Sequence, residues 1–568
     1  MRFVLPLLFA ACATAPAPAP LAPVEPPPAP IVRVEPSPPR PLLPKVAPLA
    51  LPASAWPADK QALHVLNRLA YGPSPEDLTS VREQGLATWM ALQLQPELIA
   101  DDAVDRKLAG FKTLSMGTAD LEAAYPPPLQ VAKREGLDMK DPDVKREIRE
   151  MIPARELPRE VVVELISQKL IRATESRRQL EEVLTDFWFN HFNVSADKGA
   201  CKWMLTSYER DAIRAHLFGS FRDLLGATAH HPAMLFYLDN WASTREGFDL
   251  RTAMRPGQLP KQFAQNGQLG LNENYARELL ELHTLGVDGG YSQHDVREVA
   301  RAFTGWSIDR PQKLGAFIYR DRPHDKDAKL ILGTSFPAGG GESDGEAVLD
   351  LLASHPSTAR FIATKLCRKF VSDDPPAALV ARVADVFQAT NGNLRAVYQA
   401  IFTSPEFWSD QAYAAKVKTP LELVVSAVRA VGGTTDGDIR LAQRIGAMGQ
   451  PLYRAQPPTG YPEVAEPWVN AGALVSRINF GLAMVSGRLP GVEIDVRGLT
   501  SGPVGDVDAA IALAGQHILH EQVAAGTRQT ILSALDRDED HLADGERRPV
   551  DVRMVAGLLL GSPQFQKQ

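Results

Sequence analysis

Apolar residues recur every three or four positions through most of residues 59–568, and clean period-two alternation is hard to find. Helices are therefore the elements this chain can bury against one another, and the fold class is mainly α. The punctuation agrees. Tyr71-Gly72-Pro73 closes a first helix, and Ser74-Pro75-Glu76-Asp77 opens the next with a cap, a proline at the first helical position and an acid three residues after the cap. Ser292-Gln293-His294-Asp295 repeats that start signal. Further helices are expected over 158–193, 208–225, 272–285, 345–371, 376–389, 393–403, 417–431, 468–487, 506–523, 525–535 and 549–560. The expected body is a large helical bundle with long loops. Residues 244–271 read as a long loop, and Phe317-Ile318-Tyr319 with Lys329-Leu330-Ile331-Leu332 as a short β-hairpin or pair of strands. Ser404-Pro405-Glu406-Phe407 is echoed by Ser562-Pro563-Gln564-Phe565, each a helix end whose Ser-Pro turn returns an aromatic to the bundle.

Before residue 59 the pattern is different. Sixteen of the 46 prolines lie between Pro16 and Pro57, so the proline excess belongs to residues 12–58 and not to the body. With few backbone donors and no periodicity, this stretch reads as an extended, disordered spacer, and about 45 residues at ~3.1 Å each reach roughly 140 Å. Ahead of it, residues 1–11 carry Arg2 and a short apolar run, too short for the ~20 residues of a spanning helix. The run Leu8-Phe9-Ala10-Ala11-Cys12 resembles the lipobox of bacterial lipoproteins, which implies a lipidated Cys12 as the mature N-terminus. The alternative is a plain secretory signal cleaved after a small residue. No twin arginine is present, so export would be of the unfolded chain.

Residues 59–568 carry a net charge of −9 and no basic block, which argues against a nucleic-acid partner. Cys201 and Cys367 could form one disulfide or remain buried thiols. With no Cys-x-x-Cys, a zinc ribbon and a covalently attached haem are excluded; nucleophile-elbow, zincin, phosphate-loop and dinucleotide signatures are also absent.

Two helices carry candidate chemistry. At about 100° per residue, Asn274, Arg277, Glu278 and Glu281 share one stripe, and His283 points nearly opposite. Two carboxylates one turn apart could hold a divalent metal or divide acid and base roles, with Arg277 keeping one ionised. The plainer alternative is a solvated face with an Arg277 to Glu281 pair. In the second helix Glu182, Asp186, Asn190 and Asn193 share a stripe, and His191 lies on the apolar face. Facing each other, the stripes would line a polar cleft, with Asp239 at its edge. No Glu-x-x-His pair is present, and a core histidine bonded to a carbonyl explains His191 and His283 as readily as a ligand or proton carrier. Asp288-Gly289-Gly290-Tyr291 reads as a tight turn, and the acids of 536–544 as a solvated loop.

The run NENYARELLELHTLG at 272–286, followed by Tyr291 and by Ala302-Phe303-Thr304-Gly305-Trp306, resembles the central signature of the bacterial domain of unknown function 1800 family. Leu66 to Pro73, Phe187-Trp188-Phe189-Asn190-His191-Phe192, Pro232-Ala233-Met234, His324-Asp325, His355-Pro356-Ser357-Thr358-Ala359 and Ser562-Pro563-Gln564-Phe565 extend the likeness over about 60–568. The resemblance implies an exported helical protein. It also implies a partner, an exported sulfatase-like protein of the unknown-function 1501 family, and it raises the weight of Asn190, His191, Asn274, Arg277, Glu278, Glu281 and His283.

The organisation expected is a signal at 1–11, a tether at 12–58 and a helical domain at 59–568, with a helical subdomain from about 490. Two functions compete. One is a cell-envelope lipoprotein, anchored to the outer membrane of a Gram-negative bacterium, that holds or matures another exported protein. The other is an envelope hydrolase in which Glu278, Glu281, Arg277 and His191 act and Asp186, Asn190, Asp239, Asn274 and His283 bind, with a divalent metal on Glu278 and Glu281. The missing catalytic signatures favour the first.

Overall fold

Side-chain caps start the helices where the sequence marks them. Ser74 Oγ accepts from the Asp77 amide at 3.1 Å and opens Pro75–Gln84. Ser292 and Asp295 form a reciprocal capping box at the head of Gln293–Ala302, and Thr419 and Glu422 do the same for Pro420–Ala430. The computed structural model describes residues 46–137, 143–144, 146, 152–153, 156–249, 270–310, 313–494, 506–539 and 552–568. The signal, Cys12, the tether up to residue 45, positions 250–269 of the long loop and positions 540–544 of the acidic run lie outside the described residues.

The fold is mainly α, with three small two-stranded antiparallel sheets among the described residues. Several helices are shorter than their apolar period suggests, and each break has a local cause. The 158–193 run divides into Arg159–Glu175 and Gln179–His191. Between them Ser176 is extended, because Asp101 takes its hydroxyl at 2.7 Å and the Arg177 amide at 3.0 Å. The 345–371 run divides into Glu342–Ala353 and Pro356–Phe370, since the residue before a proline is driven out of the helical region. At the other extreme, Ala525–Glu539 runs on into the acids first read as a loop. The two expected strands are both present, and each pairs with another segment. Trp306–Ile308 (β1) pairs with Phe317–Tyr319 (β2), in register Trp306 to Tyr319, and Lys329–Ile331 (β3) pairs with Thr334–Phe336 (β4).

One hydrophobic cluster extends from Ala62 to Phe565, so the first and last helical segments share a core. Trp188 and Trp306 are fully buried in it, and Trp188 Nε1 donates to Tyr398 Oη at 2.7 Å. The two Ser-Pro turns behave alike. Ser404 and Ser562 cap Phe407 and Phe565, each at 3.3 Å, and both rings are buried. Ala471–Val485 packs against Val552–Leu560 where Gly481 and Gly557 leave no room for a β-carbon. Cys201 and Cys367 are free and buried, and burial pushes both thiols up to about 12. No helix among the described residues is long and apolar enough to cross a membrane.

Candidate functional site

The polar stripe of Gln179–His191 is engaged by partners within the body, although Asp186 and Asn190 are only part-buried. Arg214 donates to both oxygens of Glu182 at 2.7 and 2.9 Å, and Lys169 Nζ donates to Asp186 at 2.7 Å. Glu209, itself buried, lies 3.6 Å from Arg214 and 3.9 Å from Lys169, and accepts from Tyr453 Oη at 2.6 Å. Burial alone would raise the Glu182 carboxyl, but Arg214, Arg172 and Lys169 together outweigh it and hold the group below its usual range. Asn190 and Asn193 hold the backbone of the 453–461 loop. Asn190 donates to Tyr461 O at 2.9 Å and accepts from its amide at 2.7 Å, while Asn193 donates to Ala455 O at 3.0 Å and Pro457 O at 2.9 Å.

The opposite faces of the two motif helices are the ones that meet. His191 Nε2 lies 3.1 Å from the His283 carbonyl oxygen, with the rings 6.2 Å apart. A carbonyl only accepts, so Nε2 carries the proton and Nδ1 is left buried without a partner. Burial, reinforced by the charge of Lys365, holds the His283 ring at about 3 and the His191 ring well below its ordinary value. Both are neutral at pH 7. The cleft expected between the two polar stripes is thus corrected: the helices contact through their histidine faces, and Glu182, Asp186 and Asn190 turn to other partners.

The 272–286 motif is not one regular α-helix. Asn274–Glu278 passes into a π-helical segment, Leu279–Thr284, closed by Leu285 N to Leu280 O at 2.8 Å. Such segments are frequent at functional sites, and a uniform 100° wheel does not apply through this one. Asn274 is exposed. Arg277 does not pair with Glu281; it donates to Glu273 at 3.2 Å and Gln293 at 3.0 Å. Glu281 accepts weakly from Tyr291 Oη at 3.4 Å. Glu278 is half-buried, and burial, then the charge of Glu281, raises its carboxyl above the usual range against the opposing pull of Arg277.

Asp239, expected at the edge of the cleft, lies instead against Asn272, just ahead of this helix. It has left-handed backbone, φ 60°, its carboxylate pairs with Lys198 at 2.8 Å, and its carbonyl accepts from Asn272 at 3.3 Å. Tyr237 sits between the elements: its hydroxyl donates to Gln456 O at 2.6 Å, and burial, the Cys201 thiol and the Glu278 charge all raise its phenol.

Among the described residues no three His, Cys, Asp or Glu side chains gather to hold a metal ion. Glu278, with its carboxyl raised above the usual range, and the part-exposed Glu281 lie one turn apart at the start of the π-helical segment. The sequence assigns no role to Tyr237 or Lys365, and does not single out Lys198 or the 453–461 loop. Pro457-Pro458-Thr459-Gly460-Tyr461-Pro462 was the available signal, a turn-forming run too rigid for a random linker.

A helical body with its motif histidines in the core and one half-exposed carboxylate pair is the class of protein that this fold and site define. The family described as "Protein of unknown function (DUF1800)" matches residues 64–567, and the chain belongs to that family. No curated protein and no solved structure gives a significant match.

Proposed function

We propose that this is a cell-envelope lipoprotein whose helical body acts without catalysis, holding or maturing another exported protein. The observation that carries this reading is the fate of the candidate groups. Asp186 is paired with Lys169, Asn190 is bonded on both sides of its amide to the Tyr461 backbone, and His191 and His283 are neutral core residues, so the groups nearest the two histidines are already engaged inside the body. Cys12 supplies the anchor, and Ala13 after it lacks the Asp associated with inner-membrane retention, which favours the outer membrane. The family resemblance suggests a sulfatase-like protein of the unknown-function 1501 family as the one held.

A second reading rests on Glu278, whose raised carboxyl beside Glu281 suits an acid and base pair in an envelope hydrolase, with a divalent metal as an option. One experiment separates the two. The full chain carrying Glu278→Gln and Glu281→Gln is expected to complement a deletion strain fully and to match wild type in metal content. Lost complementation by a folded, correctly anchored variant would establish the hydrolase reading instead. Mass spectrometry of the same preparations should find acylated Cys12 at the mature N-terminus, and an unmodified start elsewhere would refute the anchor.

A further inference from the structure

His324 and Asp325, which the family signature carries, line an open cleft of about 810 Å³ in which neither Glu278 nor Glu281 takes part. That volume is within the range of small-molecule sites, roughly 300–1,000 Å³. Among the described residues Leu271 is the only aliphatic side chain on its wall, so the cleft suits a polar ligand. The wall is fixed from behind. Arg301 donates to the two oxygens of Asp325 at 2.8 and 3.0 Å and to both oxygens of Glu298 at 2.8 Å. The buried Lys329 donates to Asp344 at 2.7 Å and to the Asp325 and Asp327 carbonyls at 2.7 and 3.0 Å. His324 Nδ1 lies 2.8 Å from Thr304 O, and its Nε2 lies 3.3 Å from Asp344. These groups satisfy one another and hold the 324–329 backbone in place.

Charge decides which polar ligand. Five basic and five acidic side chains line the cleft, and most neutralise one another. Glu298 and Asp325 are taken by Arg301, Asp321 by Lys326 at 2.8 Å and Glu246 by Arg297 at 2.5 Å. Arg245 and Arg322 remain against Asp327, and neither guanidinium has a hydrogen bond or an ion pair among the described residues. The two leave adjacent backbone, because the Arg245 amide donates to the Pro323 carbonyl at 2.7 Å. Positions 250–269, which follow shortly in the sequence, contain Arg251, Arg255 and Lys261 and no Asp or Glu, so that stretch brings no carboxylate to either arginine. Two neighbouring cations repel, and an oxyanion between them removes the repulsion. Guanidinium forks match the paired oxygens of phosphate, sulfate and carboxylate. A cation would meet two guanidiniums and a single open carboxylate, and no three metal-ligating side chains gather among the described residues. The cleft is also larger than one oxyanion, at roughly 30 Å³ for each water it could hold, so the anion is one group of a larger polar molecule.

We infer that this cleft binds a small polar molecule through its oxyanion group, which Arg245 and Arg322 hold between them. The inference does not depend on whether the protein is a scaffold or a hydrolase. It is tested by calorimetric titration of the detergent-extracted full chain with inorganic phosphate, sulfate and acetate, each at constant ionic strength in chloride. Saturable binding of at least one anion at about millimolar concentration is expected, since a free anion keeps only the group contact. The anion that binds tightest identifies the group the ligand carries. Arg245→Gln and Arg322→Gln, both at exposed positions, should each weaken it at least about tenfold with unchanged circular dichroism. Arg82→Gln, at an exposed arginine elsewhere, should bind as wild type does. The same anion should raise the melting temperature of wild type and not that of the doubly substituted chain. No saturable binding of any of the three anions, binding untouched by Arg245→Gln and Arg322→Gln, or an equal loss with Arg82→Gln would overturn the inference.

Discussion

His64 is enclosed by aromatic rings, with centroids of Phe407 at 4.6 Å, Trp56 at 5.2 Å and Tyr413 at 6.0 Å. Neither ring nitrogen makes a hydrogen bond of ordinary geometry. Burial, then the charge of Arg68, holds the imidazole at about 3. A buried polar ring without partners costs about 1–3 kcal/mol. His64→Phe keeps the shape and removes that cost, so it should raise the urea midpoint at pH 7 by an amount equivalent to about 1 kcal/mol. The gain should grow below pH 6.5, where the unfolded chain but not the folded one takes up the His64 proton. A lower midpoint at pH 7 would show that the ring's polarity is used. The residue types at this position are plain in the sequence, but their meeting is not, because Trp56 and Tyr413 are far apart along the chain.

At the scale of the element, the loop from Tyr453 to Tyr461 is fixed by side chains of another helix. Gly460 has φ +70°, and a β-carbon there would lie 2.4 Å from Asn190 Oδ1 and 2.5 Å from its carbonyl oxygen. Gly460→Ala is therefore expected to cost at least about 1 kcal/mol, from backbone strain and displacement of the Asn190 clamp together. Limited proteolysis should show new cleavage between residues 453 and 468, and an unchanged pattern with unchanged melting would contradict the clamp. Helix starts were legible because they depend on residues three or four apart, as at Ser74 and Ser292. The break at Ser176 was not, because Asp101 imposes it from outside the helix. The π-helical turn at Leu279–Thr284 was hidden for a similar reason, since a run such as Leu-Leu-Glu-Leu-His-Thr also satisfies α-helical spacing.

For the whole molecule, buried ionisable groups set how stability follows pH. His64, His191 and His283 are each held below their unfolded value of about 6.5. The contribution of each is complete above pH 6.5 and is lost as pH falls, toward about 3 for His64 and His283, by at most ~1.4 kcal/mol per pH unit for each ring. Glu422 acts lower. Burial alone would raise it, but Lys369, its bond at 2.6 Å and the Thr419 amide hold it at about 2, so its contribution is present above about pH 4.3 and is lost toward pH 2. Glu278, Glu181 and Asp101, raised in the folded state, oppose this decline as pH falls toward the unfolded carboxylate values of about 4. The urea midpoint should thus be lower at pH 5.5 than at pH 7.5. A flat profile over that range would mean that the histidines are not buried as neutral rings.

By itself the sequence determined the helical class, the family, the places where helices begin and the separation of a proline-rich start from a body that can form a core. These follow from short-range periodicity, caps and composition. Only the tertiary structure decided what Asp186, Asn190, His191 and His283 do, because a helical wheel marks which residues share a face and does not say what that face meets. Here the polar stripe met Lys169 and a loop some 270 residues further along, and the histidine faces met each other. It also showed Ala471–Val485 with apolar residues left outside, which the helical period alone does not reveal.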